Sequence, residues 1–106
     1  MDPLRGEVWD AHLRGAGQHP VVVLTMSNLV SRLSSVTVVV ITGTAGPATT
    51  HTALGPESGL TKYDESYANA TDVHTIPQAS LRRRRGRLHQ AELAHLEQAV
   101  RLVLGL

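Results

Sequence analysis

Two short runs of almost wholly β-branched residues, Val21-Val22-Val23-Leu24 and Val38-Val39-Val40-Ile41, limit the fold of this chain more than any other feature. Branching at Cβ stiffens χ1 and suits a pleated strand better than a helix. Neither run alternates with polar residues, so both strands are expected to be buried on two faces, as in the interior of a barrel. Each is far shorter than the roughly 20 residues needed to cross a membrane as a helix. The N-terminus, Met1-Asp2-Pro3-Leu4-Arg5, has no apolar segment behind its charges and does not read as a signal peptide. The expectation is a soluble, cytoplasmic protein without a membrane partner.

The length of 106 residues points to a single domain, 1–106, without room for a second module. A chain this short buries only about two thirds of its unfolded surface, so an oligomer interface would add useful core. Cysteine is absent, which excludes disulfides and thiolate chemistry.

Around the two valine runs the pattern resolves into further elements. Gly6–Leu13 reads as a first strand with Gly15-Ala16-Gly17 as its exit, and Pro20–Met26 as a second. Asn28–Ser34 is a polar connector with helical potential, and Ser35–Thr42 a third strand. Thr50–Leu54 is a short strand, Gly55–Gly59 a turn, Tyr67–Ile76 a strand ended by Pro77, Gln78–Leu81 one helical turn, and Arg82–Leu88 a last short strand. In His89–Leu104, Leu93, Leu96, Val100, Val103 and Leu104 recur at helical spacing, and Gly105 supplies a stop. Strands first and one amphipathic helix last predict a mainly β (α+β) fold: a small antiparallel barrel with a C-terminal helix packed on it.

The net charge is only +1, but half of the ten basic residues fall between Arg82 and Arg87. Any binding of anions is therefore local. Only Trp9, Tyr63 and Tyr67 are aromatic, too few for a binder that stacks successive bases. His12, His51, His74, His89 and His95 show no metal-ligand spacing, so no metal and no other cofactor is expected. A Gly-rich phosphate loop and a serine elbow are likewise missing, which leaves nucleotide hydrolysis and acyl transfer without support.

Arg5-Gly6-Glu7-Val8-Trp9, then Gln18-His19-Pro20 leading into a Val-rich strand, then a third strand ending in Thr42, make an ordered set of motifs. In that order the chain resembles the MazF/PemK family of bacterial toxins from Arg5 to Leu106. The resemblance implies an SH3-like barrel, a homodimer, and ribosome- and metal-independent cleavage of single-stranded RNA to 2′,3′-cyclic phosphate and 5′-hydroxyl ends. It also implies a cognate antitoxin as partner. The family places an arginine before the proline of the second strand and a serine or threonine at the end of the third. The matching positions are His19 and Thr42, so histidine stands where the family has arginine. Metal-free cleavage of RNA needs groups to exchange protons and donors to stabilise the charged phosphorane. Histidine suits the first task, its ordinary pKa being about 6.5. Arg14 could return the missing charge at the same mouth.

The catalytic candidates are thus His19, Thr42 and Arg14, and the RNA-binding candidates Arg5, Gln18, Thr44, Arg82 and Arg84. Asp72 and His74 fall in a segment similar to one that sits near the dimer interface in the family, where a structural role is expected. Two alternatives stay open: a gyrase-binding toxin of CcdB type on the same fold, and a weakened homologue that binds RNA or antitoxin only.

Overall fold

The computed structural model describes residues 2–60 and 65–106. Its elements run β1 (Glu7–Leu13), β2 (Gly17–Val23), α1 (Ser27–Val30), β3 (Ser35–Thr42), β4 (His51–Leu54), β5 (Ser66–Pro77), β6 (Leu81–Arg87) and α2 (Gln90–Leu104), with 3₁₀ turns at Pro56–Ser58 and Gln78–Ser80. The strands form one six-stranded sheet in the order β4-β5-β3-β2-β1-β6, antiparallel at every seam. The sheet is not closed edge to edge. The 3₁₀ turn after β4 instead lies against β6, where Arg85 Nη2 donates to the Gly59 carbonyl at 3.2 Å. Gly86 permits that approach, because a Cβ there would fall on the Glu57 carbonyl oxygen.

Both valine runs are buried on two faces, as their lack of alternation predicts. Val22, Val39 and Ile41 point into one apolar cluster with Leu96 and Ala99 of α2. Val21, Val23, Val36, Val38 and Val40 point into a second cluster with Ala11, Leu13 and Ile76. The helix therefore covers one face of the sheet, while its curl encloses the other.

β2 begins at Gly17 rather than Pro20 and stops at Val23. Gly15 and Gly17 adopt φ of +82° and +75°, and Ala16 N donates to the Leu13 carbonyl at 3.0 Å, which makes a tight hairpin. That shift moves His19 out of the expected loop and into the strand, paired with Ala11. A second irregularity lies in β5. Pairing steps two residues along β3, from Val39 to Ile41, but five along β5, from Val73 to Ala68. The excess bulges out around Asp72.

The arginine run secures the β1–β6 seam. Arg85 Nη1 donates to Asp10 Oδ2 at 3.1 Å, with Asp10 only 7% exposed. Arg84 Nε donates to Glu7 Oε2 at 2.7 Å. Burial alone would raise the Glu7 pKa, but the Leu4 amide, Arg84 and the Trp9 indole together outweigh it and hold the carboxyl below its ordinary value.

At the start of α2, His89 Nδ1 accepts from Ala91 N at 3.4 Å and Glu92 Oε1 accepts from His89 N at 2.6 Å. Glu92 Oε2 also accepts from Gly55 N at 2.6 Å, tying the helix to the end of β4. Gly105, at φ +72°, ends the helix as expected. Leu93, Leu96, Ala99 and Val100 pack inward, whereas Leu102, Val103 and Leu104 of the last turn are exposed. Among the described residues no helix is long and apolar enough to cross a membrane.

Candidate active site

The hairpin β1–β2, the end of β3 and the bulge of β5 meet at one side of the sheet. Val21 pairs with Val40 and Val23 with Val38, so extending that antiparallel register by two residues brings His19 opposite Thr42. Both line a cleft of about 520 Å³ together with Gln18, Pro20, Thr44 and Asp72. Thr44 N donates to Thr42 Oγ1 at 3.1 Å. One lone pair of that hydroxyl is thereby occupied, and its O–H proton remains available to an acceptor such as a phosphate oxygen.

A second cleft of about 610 Å³ adjoins the first and shares His19, Val40 and Asp72 with it. His12, Arg14, His74, Thr75 and Ser80 complete its polar lining, and Leu13 and Ile76 extend the apolar core to its floor. The two clefts form a bent groove with His19 and Asp72 at the corner. His19 is half-buried and Arg14 is exposed on the hairpin turn. His74 and Asp72 form a pair, Nε2 to Oδ1 at 2.6 Å, with side chains 47% and 45% exposed.

Of the residues singled out in the sequence, His19, Thr42, Arg14, Gln18 and Thr44 line this groove. The others are placed elsewhere. Arg5 is paired with Glu97 of α2, Arg84 with Glu7, and Arg82 is exposed on the edge strand β6. The structure adds His12, Asn69, Asp72 and His74 to the groove lining. The Asp-x-His spacing that sets Asp72 and His74 on one side of an extended strand was visible in the sequence. The bulge that turns Asp72 into the groove, beside a His74 held in register opposite Val38, was not.

The family described as the PemK-like, MazF-like toxin of type II toxin–antitoxin systems matches residues 4–104. A protein of Mycobacterium tuberculosis named probable endoribonuclease MazF2 is 34% identical over 101 residues, spanning 95% of this chain and 97% of its own. A mycobacterial endoribonuclease solved in complex with its cognate antitoxin superposes with a TM-score of 0.87 at 27% identity, over 98% of this chain and 96% of that one. A MazE–MazF structure from Deinococcus radiodurans shares the fold, with a TM-score of 0.83 at 17% identity over 100% and 98% of the two chains. By the span of the family match, and by a fold that agrees with it, this chain belongs to the PemK-like, MazF-like toxins of type II toxin–antitoxin systems.

Proposed function

We propose that the chain is a metal-independent endoribonuclease that cuts single-stranded RNA by in-line attack of the adjacent 2′-hydroxyl, with His19 and Thr42 in the reaction. The observation that supports this most directly is their convergence, from separate strands, on one groove of a fold shared with endoribonucleases. Thr42 donates to a non-bridging phosphate oxygen and His19 exchanges a proton with the reacting oxygens. Arg14, on the turn beside them, supplies positive charge for the phosphorane. Gln18 and Thr44 offer hydrogen bonds to the flanking nucleotides.

The full reading is a one-domain toxin, 1–106, acting in the cytoplasm as a homodimer and neutralised by a cognate antitoxin. Its fit to a protein partner is supported by the apolar end of α2, where Leu102 is 64% and Leu104 55% exposed.

The chemistry is tested with a long single-stranded transcript in excess chelator. Cutting is expected to continue, and mapped sites should carry 2′,3′-cyclic phosphate ends. An oligonucleotide spanning one site with a single 2′-deoxy substitution at the cleaved position should resist. Cleavage of the deoxy substrate would eliminate the mechanism.

A further inference from the structure

We propose, building on RNA cleavage as read above, that His74 is the general base of this groove and that Asp72 positions it. In-line cleavage requires two proton transfers. As the 2′-oxygen bonds to phosphorus it loses a proton to a base, and as the P–O5′ bond breaks the departing oxygen gains one from an acid. His19 performs one of these transfers in a given turnover, which leaves the other without a group among the residues matched to the family motif. Arg14 stays protonated and cannot accept a proton.

The pair at the corner of the groove meets that need. A neutral His74 that donates Nε2–H to Asp72 Oδ1 keeps its lone pair on Nδ1, the form in which an imidazole takes up a proton. The carboxylate then stabilises the imidazolium so formed, as a buried aspartate does for the histidine of a serine protease. The placement follows from the fold. His74 pairs with Val38 of β3, whose side chain belongs to the enclosed cluster with Val40, and the bulge beside it brings Asp72 into both clefts.

An exposed carboxylate–imidazole pair on a flat surface would contribute little. This one lines the same cleft as His19 instead. The other charged or titratable groups of that cleft are His12 on β1, Arg14 on the hairpin turn and His19 on β2. His12 is exposed, and among the described hydrogen bonds it has no partner to fix its tautomer. The assignment is therefore His74 as base and His19 as acid. The base removes the 2′-OH proton, the acid protonates O5′, and the products are a 2′,3′-cyclic phosphate and a 5′-hydroxyl. Water then resets both rings.

The test uses the oligonucleotide spanning a mapped site and a second version with sulfur in place of the scissile 5′-oxygen. A thiolate leaves without protonation, so this substrate bypasses the acid but not the base. His74→Ala is expected to lose about 10²–10⁴-fold on both substrates and to lose the acidic limb of a bell-shaped pH–rate profile. His19→Ala should lose as much on the oxygen substrate and recover on the sulfur one. Asp72→Asn, which can present an N–H to the ring and impose the wrong tautomer, should slow both substrates. Thermal unfolding of the Asp72 and His74 variants should match the parent, since both side chains are about half exposed. Full activity of His74→Ala overturns the proposal, and its rescue by sulfur overturns the assignment of base. A parent chain that leaves the transcript uncut removes the RNA reading itself, an outcome distinct from a variant that fails to lose rate.

Discussion

At the scale of single residues, the proposed mechanism turns on His19, where the family pattern has arginine. An arginine there would hold a permanent charge against the phosphate, whereas an imidazole trades that charge for the ability to move a proton. His19→Ala should lose about 10²–10⁴-fold in cleavage rate with little effect on folding. Thr42→Ala should lose a hydrogen bond to a charged group worth about 1.5–3 kcal/mol, read as a fall in kcat/KM. His19→Arg discriminates between the two roles. A gain in rate would mean that the imidazole is a weakened substitute for charge, and a loss that the acid–base chemistry has moved onto it. His19 and Thr42 were legible as candidates because the motif Gln18-His19-Pro20 and the strand ending at Thr42 can be read directly along the chain. Asp72 and His74 were not legible as residues of the groove. His74 enters the groove through its pairing with Val38 and Asp72 through the bulge next to it; both depend on how two strands pair, which no local pattern encodes.

The strands and the helix were legible at the scale of elements because burial is written in their own residues, as unbroken valine runs in strands covered on both faces and as a three- and four-residue repeat in the helix. The role of the arginine run was harder to read. Its composition suggests a binding surface for anions, yet Arg84 and Arg85 are engaged with Glu7 and Asp10 across the β1–β6 seam. These acids are distant in sequence, and only the strand order makes them neighbours. Because Glu7 has a lowered pKa in the folded state, its contribution is present above the ordinary carboxylate value near 4.5 and is lost as pH falls through the folded value. Glu7→Gln should therefore cost about 0.5–1 kcal/mol at neutral pH, a modest amount because Arg84 is half exposed. The difference between parent and variant should vanish in acid unfolding at low pH. A larger effect is expected where backbone meets backbone. Gly86→Ala drives a methyl group into the Glu57 carbonyl and separates the 3₁₀ turn from β6. Overpacking of this kind typically costs about 1–3 kcal/mol, and each kcal/mol lowers Tm by about 4–8 °C in a domain near this size. An unchanged melting curve would mean that the turn does not close the sheet.

At the scale of the whole molecule the question is what covers the remaining apolar surface. The valine strands offer little of it, because they are buried on both faces within one chain. Exposed apolar area is found instead on the last turn of α2 and its exit, at Leu102, Val103, Leu104 and Leu106, and around α1 at Met26, Leu29 and Leu33. Leu106 is 85% exposed and Met26 53%. Apolar side chains left this open favour association, because each gains about 25 cal/mol for every Å² it removes from water. A core limited by chain length gains further from an interface. The chain is thus expected to be a homodimer at micromolar concentration, with a mass in light scattering twice the 11.4 kDa of one chain. A monomer mass that persists on concentration would count against the dimer. Leu102→Glu and Leu29→Glu place a charge in each patch in turn. The variant that reverts to monomer identifies the face used between copies. If it keeps RNA cleavage, the groove is complete within one chain; if it loses cleavage while its unfolding curve is unchanged, the second copy completes the site.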